Sequence, residues 1–291
     1  MELLDGIFTA NEIKQEIREQ VLQMKNNGEK VPHLAAIIVG NDGASLTYVG
    51  SKVKACAAVG FESTLLRMPE ETTEAELLDE IKKLNGDDRV DGFIVQLPLP
   101  KQIDTQRVIM AIDPAKDVDG FHPENFGKMA LDMSTFIPAT PFGILELLAR
   151  YNVETKGKHT VVIGRSHIVG RPMSILMGRK GFPGNSTVTL THSYTKNISQ
   201  ITTQADIIIT ALGVPNYLKA EMIKDDAIVI DVGITRVADN TAEKGYRITG
   251  DVDFDQVSKK ASFISPVPGG VGPMTIAMLL KNTLLAREQR L

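Results

Sequence analysis

Two α/β domains, each a mostly parallel sheet covered by helices, are predicted by three observations. Short branched-apolar runs alternate with amphipathic stretches from the first helix to about Pro100, and the same alternation restarts after Lys158. A chain of 291 residues also sits near the size at which one core divides into two.

Each element can be read in order. The first helix is expected from Asn11 to Met24, where Ile13, Ile17 and Val21 recur every four residues, and it ends near the glycine of NNGEK. HLAAIIVG reads as a buried strand closed by Gly40. SLTYVGSKVKACAAVG is then a helix whose inward stripe is predicted to be Leu46, Val49, Val53 and Ala57. FESTLL is the second strand, EAELLDEIKKLN another amphipathic helix, and VDGFIVQLPLP a third strand ending in prolines. DTQRVIMAIDPAKDVDGFHPENFGKM is rich in turn formers and is expected to be a loop-rich border rather than core. PATPFGILELLARYNV starts a helix at a proline, where the missing amide donor is tolerated.

The second series runs through HTVVIG, a helix across GRPMSILMGRKG, STVTLTHS, ADIIITALG, AIVIDVGI and a late strand in ASFISPV. An apolar-striped helix, PMTIAMLLKNTLLAREQ, closes the chain and could pack back on the first domain. The expected boundaries are 1–145 for the first domain, completed by the closing helix at about 272–291, and 146–271 for the second.

Composition narrows the function classes. With 43% apolar and 23% charged residues the chain is an ordinary globular protein, and a net charge of -4 argues against a nucleic-acid-coating surface. No run approaches the roughly 20 apolar residues of a membrane span, and the acidic, helical start does not resemble a leader. Nucleic acid and membrane are not expected partners. One cysteine, Cys56, excludes an internal disulfide and is expected to be a small core residue, and five scattered histidines give no metal spacing.

The stretch VVIGRSHIVGRP, residues 161 to 172, has the form of a strand feeding a phosphate-binding turn and a helix, with Ser166 in place of the middle glycine of G-x-G-x-x-G. Serine is small enough to leave room for a phosphate and can donate its hydroxyl to it, while the helix start still supplies free amides. A tight turn in an α/β sheet is the alternative. The next strand ends in His192 and Ser193 rather than in the acid that an NAD site uses for the ribose hydroxyls. With Arg165 in reach, such a pocket tolerates a 2′-phosphate. The alternative is a solvated Arg165 and a packed His192.

In the first domain Ser45, Tyr48 and Lys52 fall on one edge of a helix, beside its apolar stripe. Partial burial would lower the lysine pKa and suit it to proton transfer; a surface Tyr and Lys pair is the alternative. Gln96 lies at the carboxyl end of the third strand, where open parallel sheets bind ligands, and Asp119 sits in the turn-forming DVDGF. A backbone-satisfied amide and an Asx-turn are the alternatives for these two. SPVPGGVGPMT, residues 265 to 275, is stiff and uncharged, with an apolar face suited to a flat ligand or, alternatively, a linker.

These motifs resemble those of the bifunctional methylenetetrahydrofolate dehydrogenase/cyclohydrolase family. The likeness covers nearly the whole chain, through YVGSK at 48–52, VQLPLP at 95–100, KDVDGFHPENFG at 116–127, PATPFG at 138–143, GRSHIVGRP at 164–172, VTLTHSYT at 188–195, DVGI at 231–234, GDVDF at 250–254 and PVPGGVGPMT at 266–275. It implies an N-terminal parallel-sheet α/β catalytic domain and a C-terminal Rossmann-like NAD(P)-binding domain, with a folate cleft between them. It further implies NADP as cofactor, tetrahydrofolate one-carbon derivatives as substrates, and a cytoplasmic homodimer.

By the same resemblance Lys52 is the acid-base lysine, assisted by Gln96, with Tyr48 along the folate and Asp119 holding the pterin. Ser45, Leu97, Pro266, Pro268, Gly269 and Gly270 complete the folate site. Arg165 and Ser193 receive the 2′-phosphate, and Gly164, Ser166 and Ile168 form the phosphate turn. His192, Ala211, Gly213, Gly233, Ile234 and Thr275 are the remaining cofactor contacts that it implies. Ala139 and Thr191 stand where the family often has cysteine, and Thr235 where it often has asparagine.

Overall fold

The computed structural model describes residues 1–239, 241 and 245–289. Its strands are β1 (Glu2–Leu3), β2 (His33–Val39), β3 (Glu62–Met68), β4 (Gly92–Val95), β5 (His159–Ile163), β6 (Thr187–Thr191), β7 (Ile207–Thr210), β8 (Ile228–Asp231), β9 (Thr235–Ala238), β10 (Tyr246–Thr249) and β11 (Phe263–Ile264). The chain divides into two compact units, one of Met1–Ala10 with Thr140–Thr275 and the other of Asn11–Ala139 with Ile276–Leu291.

The second of these carries a three-stranded parallel sheet in the order β3-β2-β4. All but the first residue of β2 is buried, as befits a strand covered on both faces, and β2 pairs with β3 on one side and β4 on the other. Strand order therefore reverses beside β2, and the crevice outside the carboxyl ends of β2 and β4 is the place where such sheets hold ligands. Leu77, Ile81 and Leu84 of the helix Glu74–Gly86 pack with Ile37, Phe93 and Val108 in one core.

The segment expected to be a border is part of this core. It forms the helices Thr105–Ala111 and Pro123–Ala130, and Lys116, Asp117 and Val118 between them are buried. The Phe93 amide donates to the Lys116 carbonyl at 2.9 Å, and Phe93 and Asp117 form a parallel bridge. Turn-forming residues concealed a pseudo-strand there.

The other unit carries a six-stranded parallel sheet ordered β1-β11-β8-β7-β5-β6, and an antiparallel hairpin of β9 and β10. Since β6 lies on one side of β5 and β7 on the other, this sheet also has its reversal point, between β5 and β7. Neither β1 nor the hairpin was expected. The expected boundaries differ from the observed division at the chain start, because β1 pairs with β11, Glu2 opposite Phe263 and Leu3 opposite Ile264. The first helix also begins earlier than expected, at Gly6, and runs to Asn26. The closing helix is Val271–Glu288; residues 290 and 291 of the expected closing segment lie outside the described residues.

Candidate functional site

The helix Gly43–Val59 follows β2 and starts with Asp42, whose Oδ2 accepts from the Ser45 amide at 2.7 Å. Its buried positions are Ser45, Val49, Lys52, Cys56 and Val59, recurring at three and four residues. This corrects the expected stripe: Leu46 and Val53 are partly exposed and Ala57 is exposed. Lys52 is therefore not at the edge of the buried face but on it, 5% exposed. A pattern of apolar residues cannot place a lysine inside, and so the expectation was one position out. Cys56 is fully buried, and burial pushes its thiol pKa up to about 12, which leaves it unreactive.

Lys52 Nζ donates to Gln96 Oε1 at 3.2 Å. Gln96 lies just beyond β4, and its amide N–H donates to the Ile37 carbonyl at 2.9 Å. Its side-chain Nε2 donates to the Leu97 carbonyl at 2.8 Å, which turns Oε1 towards the lysine. The Leu97–Pro98 peptide is cis. Tyr48 presents its ring to the ammonium, with Nζ 4.8 Å from the centroid. Burial lowers the Lys52 pKa, against the opposing pull of the Asp119 carboxylate. Asp119 is raised by its own burial and drawn down by Lys52.

Residues missed in the sequence hold the Asp119 turn. Asp117 Oδ2 accepts from the His122 amide at 2.7 Å and from Asn125 Nδ2 at 2.9 Å. Burial raises the Asp117 carboxyl to about 7, and the charge of Asp119 adds to the shift. Asn282 donates from Nδ2 to the carbonyls of Val118 at 2.8 Å and Ile137 at 2.9 Å. Asn282 lies in the apolar-striped closing helix, and nothing local marks it as a partner of a turn 164 residues away.

In the six-stranded unit β5 runs into Gly164, and the helix Gly170–Gly178 begins after the turn. A side chain at Gly170 would meet the Gly164 carbonyl, and one at Gly164 the Ala211 carbonyl, so this turn packs backbone against backbone. Ser166 Oγ accepts from the amides of Val169 at 3.1 Å and Gly170 at 3.4 Å. The serine hydroxyl thus bonds two amides at the helix start, a use that only the folded turn reveals.

Arg165 and Ser193 are both exposed, and the Arg165 guanidinium lies 5.6 Å from the centre of the Tyr194 ring. His192 Nδ1 accepts from the Tyr194 amide at 3.2 Å, and the two rings meet edge to face. β6 ends at Thr191 and leads into His192 and Ser193, with no carboxylate. Ile168, Val214 and Ile234 expose apolar side chains, following β5, β7 and β8. Ala211 is bonded by its amide to the Ile163 carbonyl at 2.8 Å, and Gly213 and Gly233 follow β7 and β8. Thr275 Oγ1 lies 3.1 Å from Thr140 Oγ1. Pro266, Pro268, Gly269 and Gly270 form the turn before the closing helix, where the Gly270 amide donates to the Pro266 carbonyl at 2.8 Å.

Among the described residues no group of three or more His, Cys, Asp or Glu side chains is placed to hold a metal, and no helix is long and apolar enough to cross a membrane.

Comparison with known proteins matches the chain to a tetrahydrofolate dehydrogenase/cyclohydrolase catalytic domain over residues 4–119 and to the NAD(P)-binding domain of the same name over 138–291. It is 82% identical over 290 residues to the bifunctional protein FolD of Flavobacterium psychrophilum, covering 100% of this chain and 99% of that protein. The crystal structure of the bifunctional enzyme FolD from Campylobacter jejuni is 47% identical, with a TM-score of 0.93 and coverage of 100% of both chains. The Trypanosoma brucei methylenetetrahydrofolate dehydrogenase-cyclohydrolase, solved with NADP cofactor and inhibitor, is 40% identical, with a TM-score of 0.93 and coverage of 98% of this chain and 97% of that one. The chain belongs to the tetrahydrofolate dehydrogenase/cyclohydrolase family.

Proposed function

We propose that the chain oxidises 5,10-methylenetetrahydrofolate to the 5,10-methenyl compound with NADP, and then hydrolyses that compound to 10-formyltetrahydrofolate. The carrying observation is the buried Lys52–Gln96 contact, electrostatically coupled to Asp119, at the reversal point of the three-stranded sheet. Family membership supports both steps.

The residues fit a 2′-phosphorylated dinucleotide. Gly164 and Gly170 leave no side chain in the turn, Arg165 in that turn is exposed, and Ser193 stands exposed after β6, where an NAD site would carry an acid. Arg165 and Ser193 would hold the 2′-phosphate, and Ile168, Val214 and Ile234 would keep water from the rings. When bound, NADP supplies the acceptor for the hydride that leaves the one-carbon bridge. The protein's part in that step is positioning.

Hydrolysis asks more of the side chains. Water attacks the methenyl carbon and forms a C–O bond, and Lys52, whose burial lowers its pKa and favours the amine form, takes the water proton. As the carbonyl forms, the bond from carbon to N5 breaks and N5 takes a proton from the Lys52 ammonium, which restores the amine; the second proton from water is released to solvent. Gln96 Oε1 keeps Nζ aimed through this exchange, and Tyr48 stabilises the ammonium form on its ring face. Asp119 would receive paired donors from the amino-pterin and balance the charge of Lys52. The same reading takes the chain as cytoplasmic and as a homodimer, and light scattering on the purified protein tests the dimer.

An absorbance assay with 5,10-methylenetetrahydrofolate and either NADP or NAD tests the first activity, and 5,10-methenyltetrahydrofolate without cofactor tests the second. NADP reduction with loss of the methenyl band is expected. A stable methenyl product would remove the hydrolytic half, and no reduction of either cofactor would remove the oxidation.

A further inference from the structure

Two carboxylates in the six-stranded unit are buried and bonded to backbone amides of the loops after β7 and β8. Asp251, fully buried, accepts from the amides of Leu212 at 2.6 Å and Gly213 at 3.1 Å through Oδ2, and of Val214 at 2.8 Å through Oδ1. Asp231, at the end of β8 and 3% exposed, lies directly behind it: its Oδ1 accepts from the amides of Asp251 at 2.9 Å and Gly233 at 3.0 Å, and its Oδ2 from Val252 at 2.9 Å. The Thr210 hydroxyl, at the end of β7, lies 3.3 Å from Asp231 Oδ1. Ser265 Oγ in turn accepts from the Asp231 amide at 2.8 Å, one residue before the Pro266–Gly270 turn.

Such carboxylates are costly to bury, and their bonding partners here are six backbone amides and a hydroxyl rather than an arginine or lysine. Side chains at Gly233 and Gly250 would meet the carboxyl groups of Asp251 and Asp231, so the backbone is closed tightly around them. Burial raises the Asp231 carboxyl to about 6, and the Asp251 charge adds to that shift. Pure packing would use apolar residues at less cost. What the pair does fix is the course of two loops, 211–214 after β7 and 232–234 after β8; both carry exposed apolar side chains, Val214 and Ile234.

We propose that Asp251, seated on Asp231, is the positioning residue that sets these two loops for the nicotinamide nucleotide, so that cofactor affinity depends on carboxylates the cofactor does not touch. The proposal rests on the function proposed above. An asparagine at 251 turns an NH2 group towards amide donors, so at least one loop bond is lost while the shape is kept.

The test uses the full chain with Asp251→Asn and, because that variant could fold poorly, Thr210→Val, which removes one neutral donor to Asp231 with little change of shape. Melting temperature, NADPH binding by nucleotide fluorescence, the KM for NADP, and methenyl hydrolysis without cofactor are measured on each. The proposal expects the NADP KM and NADPH Kd to rise about tenfold or more for Asp251→Asn and about two- to fivefold for Thr210→Val, with hydrolysis at Lys52 within twofold of the parent. Unchanged cofactor binding in folded Thr210→Val or Asp251→Asn overturns it. So does a loss of both activities in step with the unfolded fraction, which marks a purely structural pair. Should the parent chain reduce no NADP, the proposed oxidation fails, and NADPH binding alone then decides the role of the pair.

Discussion

Gln96 holds Lys52 from a fixed side: Nε2 is bonded to the Leu97 carbonyl at 2.8 Å, and so Oε1 faces Nζ at 3.2 Å. The amide cannot turn over without breaking its own backbone bond. The lysine thus meets an acceptor of set geometry in a site whose burial favours the uncharged amine.

Lys52→Met removes the proposed proton carrier, and hydrolysis of the methenyl compound is expected to fall about 10²–10⁴-fold with folate binding still measurable. Gln96→Glu places a carboxylate beside Nζ and stabilises the ammonium. In the parent, hydrolysis rises with pH as the amine form appears, at a pH below the usual lysine range because burial lowers the pKa. In Gln96→Glu the rise should move to higher pH. A pH–rate profile that coincides with the parent's would dismiss the lysine as base.

On the function proposed above, Arg165 and Tyr194 divide the discrimination between NADP and NAD. Arg165→Ala loses a charge-assisted contact worth about 1.5–3 kcal/mol, so the NADP KM should rise roughly 10–100-fold while the NAD KM moves little. Tyr194→Ala removes an exposed ring 5.6 Å from the guanidinium, worth about 0.5–1 kcal/mol, and should raise the NADP KM roughly two- to fivefold. Tyr194→Phe keeps the ring and should retain the parent value. Equal changes for both cofactors would place Arg165 away from the 2′-phosphate.

Gly170→Ala forces a methyl group onto the Gly164 carbonyl. The turn and the helix start must separate, at a cost of about 1–3 kcal/mol. Calorimetry should show a lower melting temperature and weaker NADPH binding. A melting temperature within a degree of the parent would show that this contact relaxes freely.

Asp117 makes stability depend on pH. Its folded-state pKa of about 7 lies above the ordinary value of 3.8, so between these the native chain holds a proton that the unfolded chain has lost. Stability from this group is fully present below about pH 4 and declines as pH rises towards 7. Asp117→Asn should flatten that part of the curve in urea melts taken from pH 4 to 8. Parallel curves for parent and variant would mean that Asp117 ionises normally.

Strand and helix alternation, the glycine turn after β5 and Gln96 at the carboxyl end of β4 were legible because they are local: a period, a spacing, a residue type at a strand end. Cys56 was legible as core for the same reason. The edge strand β1, by contrast, is only two residues long and exists through its partner β11, more than 250 positions away, so no period could announce it. Lys116, Asp117 and Val118 looked like a turn because their composition is that of a turn, and their burial comes from pairing with β4.

By itself the sequence determined the fold class, the family resemblance and the inventory of reactive side chains. Tertiary structure decided how those side chains are held: Lys52 on the buried face of its helix, Ser166 bonded to amides at the helix start, Asn282 on the turn of Asp119, and Asp231 behind Asp251. The physical reason is range. Periodicity and turn chemistry act over a few residues, whereas burial, the bonding of buried amides and the pKa of a desolvated group are set by segments that meet only when the chain has folded.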